Sequence, residues 1–175
     1  THALPWVVKN SPTVLVASDD AFELATLSAA LRLQSVNVVA EASTAEIAEN
    51  LYKFLSPQVA LIDLQFSGAD AVALVNKFRK VNPSLGIVLM TACPDLRLLG
   101  LLEKQIPQGS QIILKKSIAD LSVVSHAIVR SIAAVDSKEK MSWVDSHGSL
   151  HENSFASILS EFTDIQIETF RLLAK

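Results

Sequence analysis

Cysteine, glycine, proline and charged residues are all scarce in this sequence, and each shortage excludes a class of protein. The single cysteine, Cys93, excludes a disulfide framework and a zinc site built from cysteines, and it is typical of the reducing cytoplasm. No apolar run approaches the roughly 18 residues that a membrane-spanning helix needs, and no basic segment followed by an apolar one begins the chain. We therefore expect a cytoplasmic protein that has neither a membrane span nor a signal peptide.

The overall composition predicts a folded protein. Of the 175 residues, 19% are charged and 50% are hydrophobic, and there are only 5 glycines and 6 prolines. A chain of this kind can bury a sizeable core and is not expected to be disordered. Its formal net charge of −3 gives no support for a nucleic-acid-binding surface on the chain as a whole. The length predicts one domain with an appendage.

Short apolar runs alternate with longer amphipathic segments over residues 13–135. Five runs predict buried strands, at residues 13–17, 35–40, 59–62, 86–91 and 111–114. Each is followed by a segment with helical spacing of its apolar residues, at residues 21–33, 44–55, 69–81, 94–105 and 118–135. Because crossovers of this length allow parallel pairing, the sequence predicts a doubly wound α/β sandwich around a five-stranded parallel sheet.

Polar residues stand where four of the predicted strands end. Asp19 and Asp20 follow the first strand, Asp63 the third, Thr91 the fourth and Lys115 the fifth. The carboxyl ends of parallel strands meet at one edge of the sheet, where ligands bind, so these side chains should converge. A loop aspartate that only caps the next helix is the simpler interpretation of Asp63, and this convergence argues against it.

The converging side chains suit phosphoryl chemistry. Clustered carboxylates repel one another unless a cation lies between them, and their hard oxygens suit Mg²⁺ that retains several waters. An aspartate can also attack phosphorus and form an aspartyl phosphate. A lysine charge and a threonine hydroxyl can then bind the phosphate oxygens. The sequence therefore predicts a metal, a nucleophile, a cation and a hydroxyl at the same edge.

Over residues 12–135, the order and spacing of these residues resemble the receiver domain of two-component response regulators. The loop at residues 63–70, Asp-Leu-Gln-Phe-Ser-Gly-Ala-Asp, is similar to the family's D-L-x-M-P-G-x-D motif, with Phe66 and Ser67 in place of Met and Pro. The resemblance implies a flavodoxin-like (βα)5 fold in which Asp63 accepts a phosphoryl group from a histidine kinase.

The resemblance also implies roles for the neighbouring positions. Mg²⁺ would be held by Asp19, Asp63 and the backbone carbonyl of Gln65, with Asp20 as an alternative ligand. The phosphate-binding and switch positions of the family fall on three residues of this sequence: Thr91, Ala92 and Lys115.

Two positions depart from the family pattern. Ser18 stands where the first member of the acidic pair is expected, which leaves Asp19 as the more direct metal ligand. Ile112 stands where the family often has an aromatic side chain that moves inward on activation. These departures leave open a degenerate receiver that acts without phosphorylation, as a protein-interaction and dimerisation module.

Two other classes fit the sequence less well. A haloacid-dehalogenase-type phosphatase needs a second aspartate two residues after the first, and that position is Gln65. A flavodoxin-like nucleotide binder would have a phosphate loop rich in glycine or hydroxyl residues after the first strand, whereas Asp19 and Asp20 would repel phosphate without a metal. We therefore predict a signalling module and not an enzyme.

The composition changes after residue 135. Residues 136–153 are polar and lack a sustained period, which predicts a linker. In residues 154–175 the helical pattern returns, with Thr163 and Gln166 spaced as a capping box. Residues 163–175 resemble the opening helix of a LuxR/NarL-type helix-turn-helix, which implies a truncated output domain. Specific DNA binding would need the missing recognition helix. A plain amphipathic packing helix is the alternative.

The last helix of the predicted receiver, at residues 120–135, is apolar on more than one face. One face must pack on the sheet, so the surplus suggests self-association. Receivers commonly dimerise near the last strand and its flanking helices, and the resemblance therefore implies a homodimer through the last strand and last two helices. A face that the absent part of the protein would cover is the alternative.

Overall fold

The computed structural model describes residues 11–66, 68–144 and 171–173. The strands are β1 (Thr13–Ala17), β2 (Asn37–Ala42), β3 (Val59–Asp63), β4 (Gly86–Thr91), β5 (Gln111–Leu114) and β6 (Ser142–Val144). The helices are α1 (Ala21–Leu33), α2 (Ala45–Leu55), α3 (Ala71–Val81) and α4 (Leu121–Asp136). The predicted C-terminal helix at 154–175 lies outside the described residues except for 171–173, which are helical.

The described strands form one parallel sheet in the order β2-β1-β3-β4-β5-β6. The core of one face contains residues from α1 and α4, and the core of the other contains residues from α2 and α3. Strands covered on both faces can be apolar along nearly their whole length, as β3 and β4 are before their polar last residues, Asp63 and Thr91. The predicted doubly wound, flavodoxin-like α/β architecture is confirmed. Within the described ranges, no helix has the length and apolarity to cross a bilayer.

The sheet has one strand more than the five that the sequence predicted. β6 pairs in parallel with the outer edge of β5, with Trp143 opposite Ile112, and Ser142 N–H donates to the carbonyl of Ser110 at 2.9 Å. The prediction that residues 136–153 form a linker is therefore wrong for Ser142–Val144. A strand of three residues beside the polar run at 137–140 carries almost no pattern in the sequence, and its stability comes from packing on β5.

The helix predicted at residues 94–105 is also wrong. The crossover between β4 and β5 contains two short 3-10 turns, Leu96–Leu99 and Glu103–Gln105. Between them Gly100 adopts a left-handed conformation, with φ of 74°. Such a residue ends a helix, and glycine adopts it without steric cost. The segment is rich in leucine, as many helices are, but its leucines do not form one continuous helical face.

Each of the helices α1 to α4 begins at the carboxyl edge of the sheet with a side-chain cap. The capping residues are Asp20, Thr44, Asp70 and Asp120, and each accepts a hydrogen bond from a backbone N–H in the first turn of its helix. Such caps satisfy donors that would otherwise lack partners at the helix start. The helix N-termini therefore surround the edge where the predicted site residues lie.

Candidate functional site

The centre of the candidate site is an ion pair between Asp63 and Lys115. Asp63 is the last residue of β3, its side chain is only 2% exposed, and its Oδ2 lies 2.6 Å from Lys115 Nζ, just after β5. Its other oxygen, Oδ1, accepts from the N–H of Gln65 at 2.9 Å. A buried carboxylate needs such partners for both oxygens. The structure thus brings together the predicted nucleophile and the predicted cation.

The loops after β3 and β4 are joined by the Gln65 side chain. Thr91 ends β4 fully buried, and its Oγ1 accepts from Cys93 N–H at 3.0 Å. The neighbouring N–H, of Ala92, donates to Gln65 Oε1 at 3.2 Å. The sequence interpretation used only the backbone carbonyl of Gln65. The side-chain contact could not be read from the sequence, because it joins two loops 27 residues apart.

The acidic end of the site differs from a pair of free carboxylates. Ser18 is fully buried, and its Oγ accepts from Asp20 N–H at 3.2 Å. Asp20 Oδ1 in turn accepts from Glu23 N–H at 3.0 Å and caps α1. Asp20 thus uses one carboxylate oxygen to cap α1, which makes Asp20 less suitable as the alternative metal ligand. Asp19 lies exposed between them.

Glu23 is a residue of this site that the sequence interpretation missed. It lies in the first turn of α1, and its Oε2 is 3.1 Å from Lys115 Nζ. Burial alone would lower the pKa of the Lys115 ammonium, but the hydrogen bonds and charges of Asp63 and Glu23 outweigh this effect and raise the pKa above its ordinary value. The sequence contains one signal for Glu23: it is an acidic residue three positions after the capping residue of a helix. That position faces the same edge of the sheet as Asp63 and Lys115.

The residues expected to hold Mg²⁺ have the right chemical type for an ion that retains most of its waters. Mg²⁺ in proteins is usually bound through one or two carboxylates. Asp19 and Asp63 could supply two carboxylates and Gln65 a carbonyl, whereas Ser18 supplies no charge. In the described part of the chain, no group of three or more His, Cys, Asp or Glu side chains is arranged to hold a metal.

Ile112, the second departure, lies fully buried in β5 beside Trp143 of β6. Both residues belong to the core on the α2 and α3 side of the sheet. An aromatic ring is therefore present next to this position, but it comes from the neighbouring strand. This arrangement also changes the predicted dimer face. The outer edge of β5 is already paired, and residues 94–105 present no helix there.

The fold and the site together define a class of protein. A parallel α/β sandwich with an aspartate at the end of its third strand, paired to a lysine after its fifth, is the arrangement expected of a receiver. Residues 14–127 match the family described as the response regulator receiver domain. The chain belongs to this family.

The chain is also similar to individual proteins. One similar structure is RcsB from Salmonella enterica serovar Typhimurium bound to promoter P1flhDC in the presence of phosphomimetic BeF3-. It is 24% identical in sequence, and the match has a TM-score of 0.56 and covers 74% of this chain and 62% of the RcsB chain. The receiver domain of the response regulator NarL from Mycobacterium tuberculosis is 25% identical, with coverages of 73% and 95% and a TM-score of 0.52. A cyclic di-GMP phosphodiesterase of Thermotoga maritima is 25% identical over 92% of this chain, which spans 43% of that relative.

Proposed function

We propose that this chain is the phosphoacceptor part of a response regulator and that Asp63 takes a phosphoryl group from a phosphohistidine of a histidine kinase. The observation that carries the proposal is the contact of 2.6 Å between Asp63 Oδ2 and Lys115 Nζ at the buried end of β3. A cation held against a carboxylate in this way is placed to bind the oxygens of a phosphoryl group attached there.

The transfer exchanges one bond for another. The P–N bond of phosphohistidine breaks as an oxygen of Asp63 bonds to phosphorus, and the departing imidazole keeps the electron pair and takes up a proton. Lys115 then donates to a phosphoryl oxygen in place of Oδ2. Thr91 Oγ1 already accepts from Cys93 N–H, so its own hydrogen can be donated to the phosphate.

Magnesium completes this proposal. Asp19, Asp63 and the Gln65 carbonyl would hold the ion, and when bound it supplies positive charge to offset the charge on the phosphoryl oxygens. Because Ser18 carries no negative charge, this part of the site should bind the ion less strongly than a site with an acid at that position.

The output would follow from the charge of the phosphoryl group. An aspartyl phosphate carries about −1.5 to −2 charges and would draw Thr91, Ala92 and Lys115 inward. These movements would bias the surface of α4 and β6 between two states, in a homodimer of a cytoplasmic regulator. DNA binding would belong to a LuxR-type output domain of the full-length protein, in keeping with the promoter-bound relative.

A second function is favoured by one observation. Ser18 is buried and hydrogen-bonded in the position of an acid, so the site has fewer negative charges for a metal. The competing proposal is a receiver that acts without phosphorylation as an interaction and dimerisation module. The two functions differ in whether Mg²⁺ and an acyl-phosphate analogue bind.

The test is a titration with Mg²⁺ followed by beryllofluoride, observed by NMR of the backbone amides. Wild type is compared with Asp63→Asn, which removes the acceptor, and with Ser18→Asp, which supplies the missing acid. We expect saturable beryllofluoride binding in wild type and none in Asp63→Asn. Ser18→Asp should bind Mg²⁺ roughly tenfold more tightly, because one more carboxylate faces the ion.

The outcomes separate the two functions. Beryllofluoride binding that survives in Asp63→Asn would contradict the role of Asp63. No response in wild type at tens of millimolar Mg²⁺, recovered in Ser18→Asp, would favour the receiver that works without phosphorylation. Light scattering with and without beryllofluoride then tests the homodimer.

A further inference from the structure

Lys115 lies between two carboxylates and not one. Its Nζ is 2.6 Å from Asp63 Oδ2 and 3.1 Å from Glu23 Oε2. The side chains of Lys115 and Glu23 are only 28% and 26% exposed, so water screens this second contact incompletely. An ammonium has three donors, so it can serve both acids at once.

Glu23 is held in this position by the start of α1. Its backbone N–H donates to the capping carboxylate of Asp20, which fixes the first turn, and the side chain then reaches the end of β5, 92 residues along the chain. Its other oxygen, Oε1, is buried and has no hydrogen-bond partner among the described residues. A buried carboxylate oxygen without a partner is costly, and this one lies on a side chain already aimed at Lys115.

From this geometry we propose that Glu23 is a positioning residue that competes with a phosphoryl group on Asp63 for the Lys115 ammonium and so weakens the site's hold on that group. The proposal rests on the phosphoacceptor function proposed for Asp63. In the unmodified protein Lys115 contacts both acids, and its single positive charge offsets only one of their two negative charges. A phosphoryl group on Asp63 must share that lysine with Glu23, and it also places its negative charge close to a second anion.

The consequence is a receiver that binds the phosphoryl group on Asp63 weakly because of the position of Glu23. Ser18 supplies no negative charge at the metal end of the site, whereas Glu23 supplies one at the lysine end. Glu23 therefore faces the cation that should bind the phosphoryl group.

The experiment uses Glu23→Gln, which keeps the size of the side chain and removes its charge. At saturating Mg²⁺, we expect beryllofluoride to bind Glu23→Gln about threefold to tenfold more tightly than wild type, because the competing anion is gone. In a separate arm without metal or beryllofluoride, an NMR titration of the Lys115 side-chain amine should show a lower pKa in Glu23→Gln. A purely structural role of Glu23 would not move that pKa.

Two further variants keep the test decisive. Glu139→Gln removes a carboxylate that pairs with Arg130 at 2.9 Å, at similar exposure and after the far end of α4. It should change neither readout. Glu23→Asp keeps the charge but shortens the side chain, and it should give intermediate values in both.

Each outcome bears on the proposal. Weaker beryllofluoride binding in Glu23→Gln would overturn it, since Glu23 would then support the bound group. An unchanged Lys115 titration would overturn it as well, because the contact would not hold the lysine. Binding in Glu23→Gln but not in wild type supports it most strongly. If neither protein binds beryllofluoride, the phosphoacceptor function and the competition both fail, while the amine titration still reports whether Glu23 holds Lys115.

Discussion

The two crossovers on either side of β4 pack on the same face of the sheet but are built differently. The segment before β4 is the regular helix α3, whereas residues 92–110 after it form two 3-10 turns around Gly100. Both contain enough apolar residues to be helical. Only α3 combines an aspartate cap with an uninterrupted apolar face. Composition alone therefore does not decide between a helix and an irregular crossover.

The difference bears on how a signal could leave the site. The irregular crossover begins directly after Thr91, and its Leu101 packs in the same core cluster as Trp143 of β6. Regular elements with dense packing open rarely, whereas segments with few buried contacts open at a lower free energy. A change at Thr91 should therefore move residues 92–110 and β6 while α3 stays in place. Substitutions on each side of β4 test this division.

The largest expected effect is on the regular side. Phe78 of α3 is 2% exposed and stacks on Tyr52 of α2, with ring centroids 4.1 Å apart. Phe78→Ala should lower the free energy of unfolding by about 3–5 kcal/mol, because it leaves a cavity in the core. Chemical denaturation followed by circular dichroism measures this loss. The matched control is Phe54→Ala, where the ring is 87% exposed and the change should stay within about 0.5 kcal/mol. Equal losses in both variants would contradict the packing described for α3.

A smaller effect is expected where β6 meets β5. Trp143→Ala should lower the free energy of unfolding by about 2 kcal/mol, since the ring is only partly buried. Hydrogen exchange should locate the change. The N–H of Ser142, bonded to Ser110 at 2.9 Å, should lose protection, and the N–H of Asn82 at the end of α3 should keep it. Trp143→Phe should retain most of both properties. Protection at Ser142 that is unaltered in Trp143→Ala would mean that β6 does not depend on this side chain.

Most of the sheet and the centre of the site could be predicted from the sequence. Parallel strands buried on both faces appear as short apolar runs, and each predicted run lies within two residues of its true position. Asp63, Thr91 and Lys115 follow from the rule that parallel strands end at one edge. This inference needs only local sequence and one topological rule, and the structure places all three at that edge.

The features that were missed depend on contacts between distant segments. β6 is a strand only because β5 offers it a free edge, and nothing within Ser142–Val144 indicates that edge. Glu23 reaches Lys115 across 92 residues of sequence, so its part in the site depends on the fold, which brings the first turn of α1 and the residue after β5 to the same edge of the sheet. The prediction for residues 94–105 is wrong for a different reason: the leucines suit a helix, but the Asp95 cap, the left-handed Gly100 and the hydrogen bond from Leu102 N–H to Gln105 together favour two separate turns.

The smallest expected effect concerns Gly100 itself and asks whether it alone prevents a helix. A β-carbon at this position, where φ is 74°, would meet only ordinary van der Waals contacts. Gly100→Ala should therefore cost about 1 kcal/mol of stability, from the left-handed conformation alone. Gly100→Asn should cost less, because asparagine tolerates that region better. The helical signal in circular dichroism should not rise in either variant. The Asp95 cap and the Gln105 bond to Leu102 N–H at 2.7 Å stabilise the two turns independently of Gly100. A rise in helicity with Gly100→Ala, at no cost in stability, would show that one glycine separates this crossover from a helix like α3.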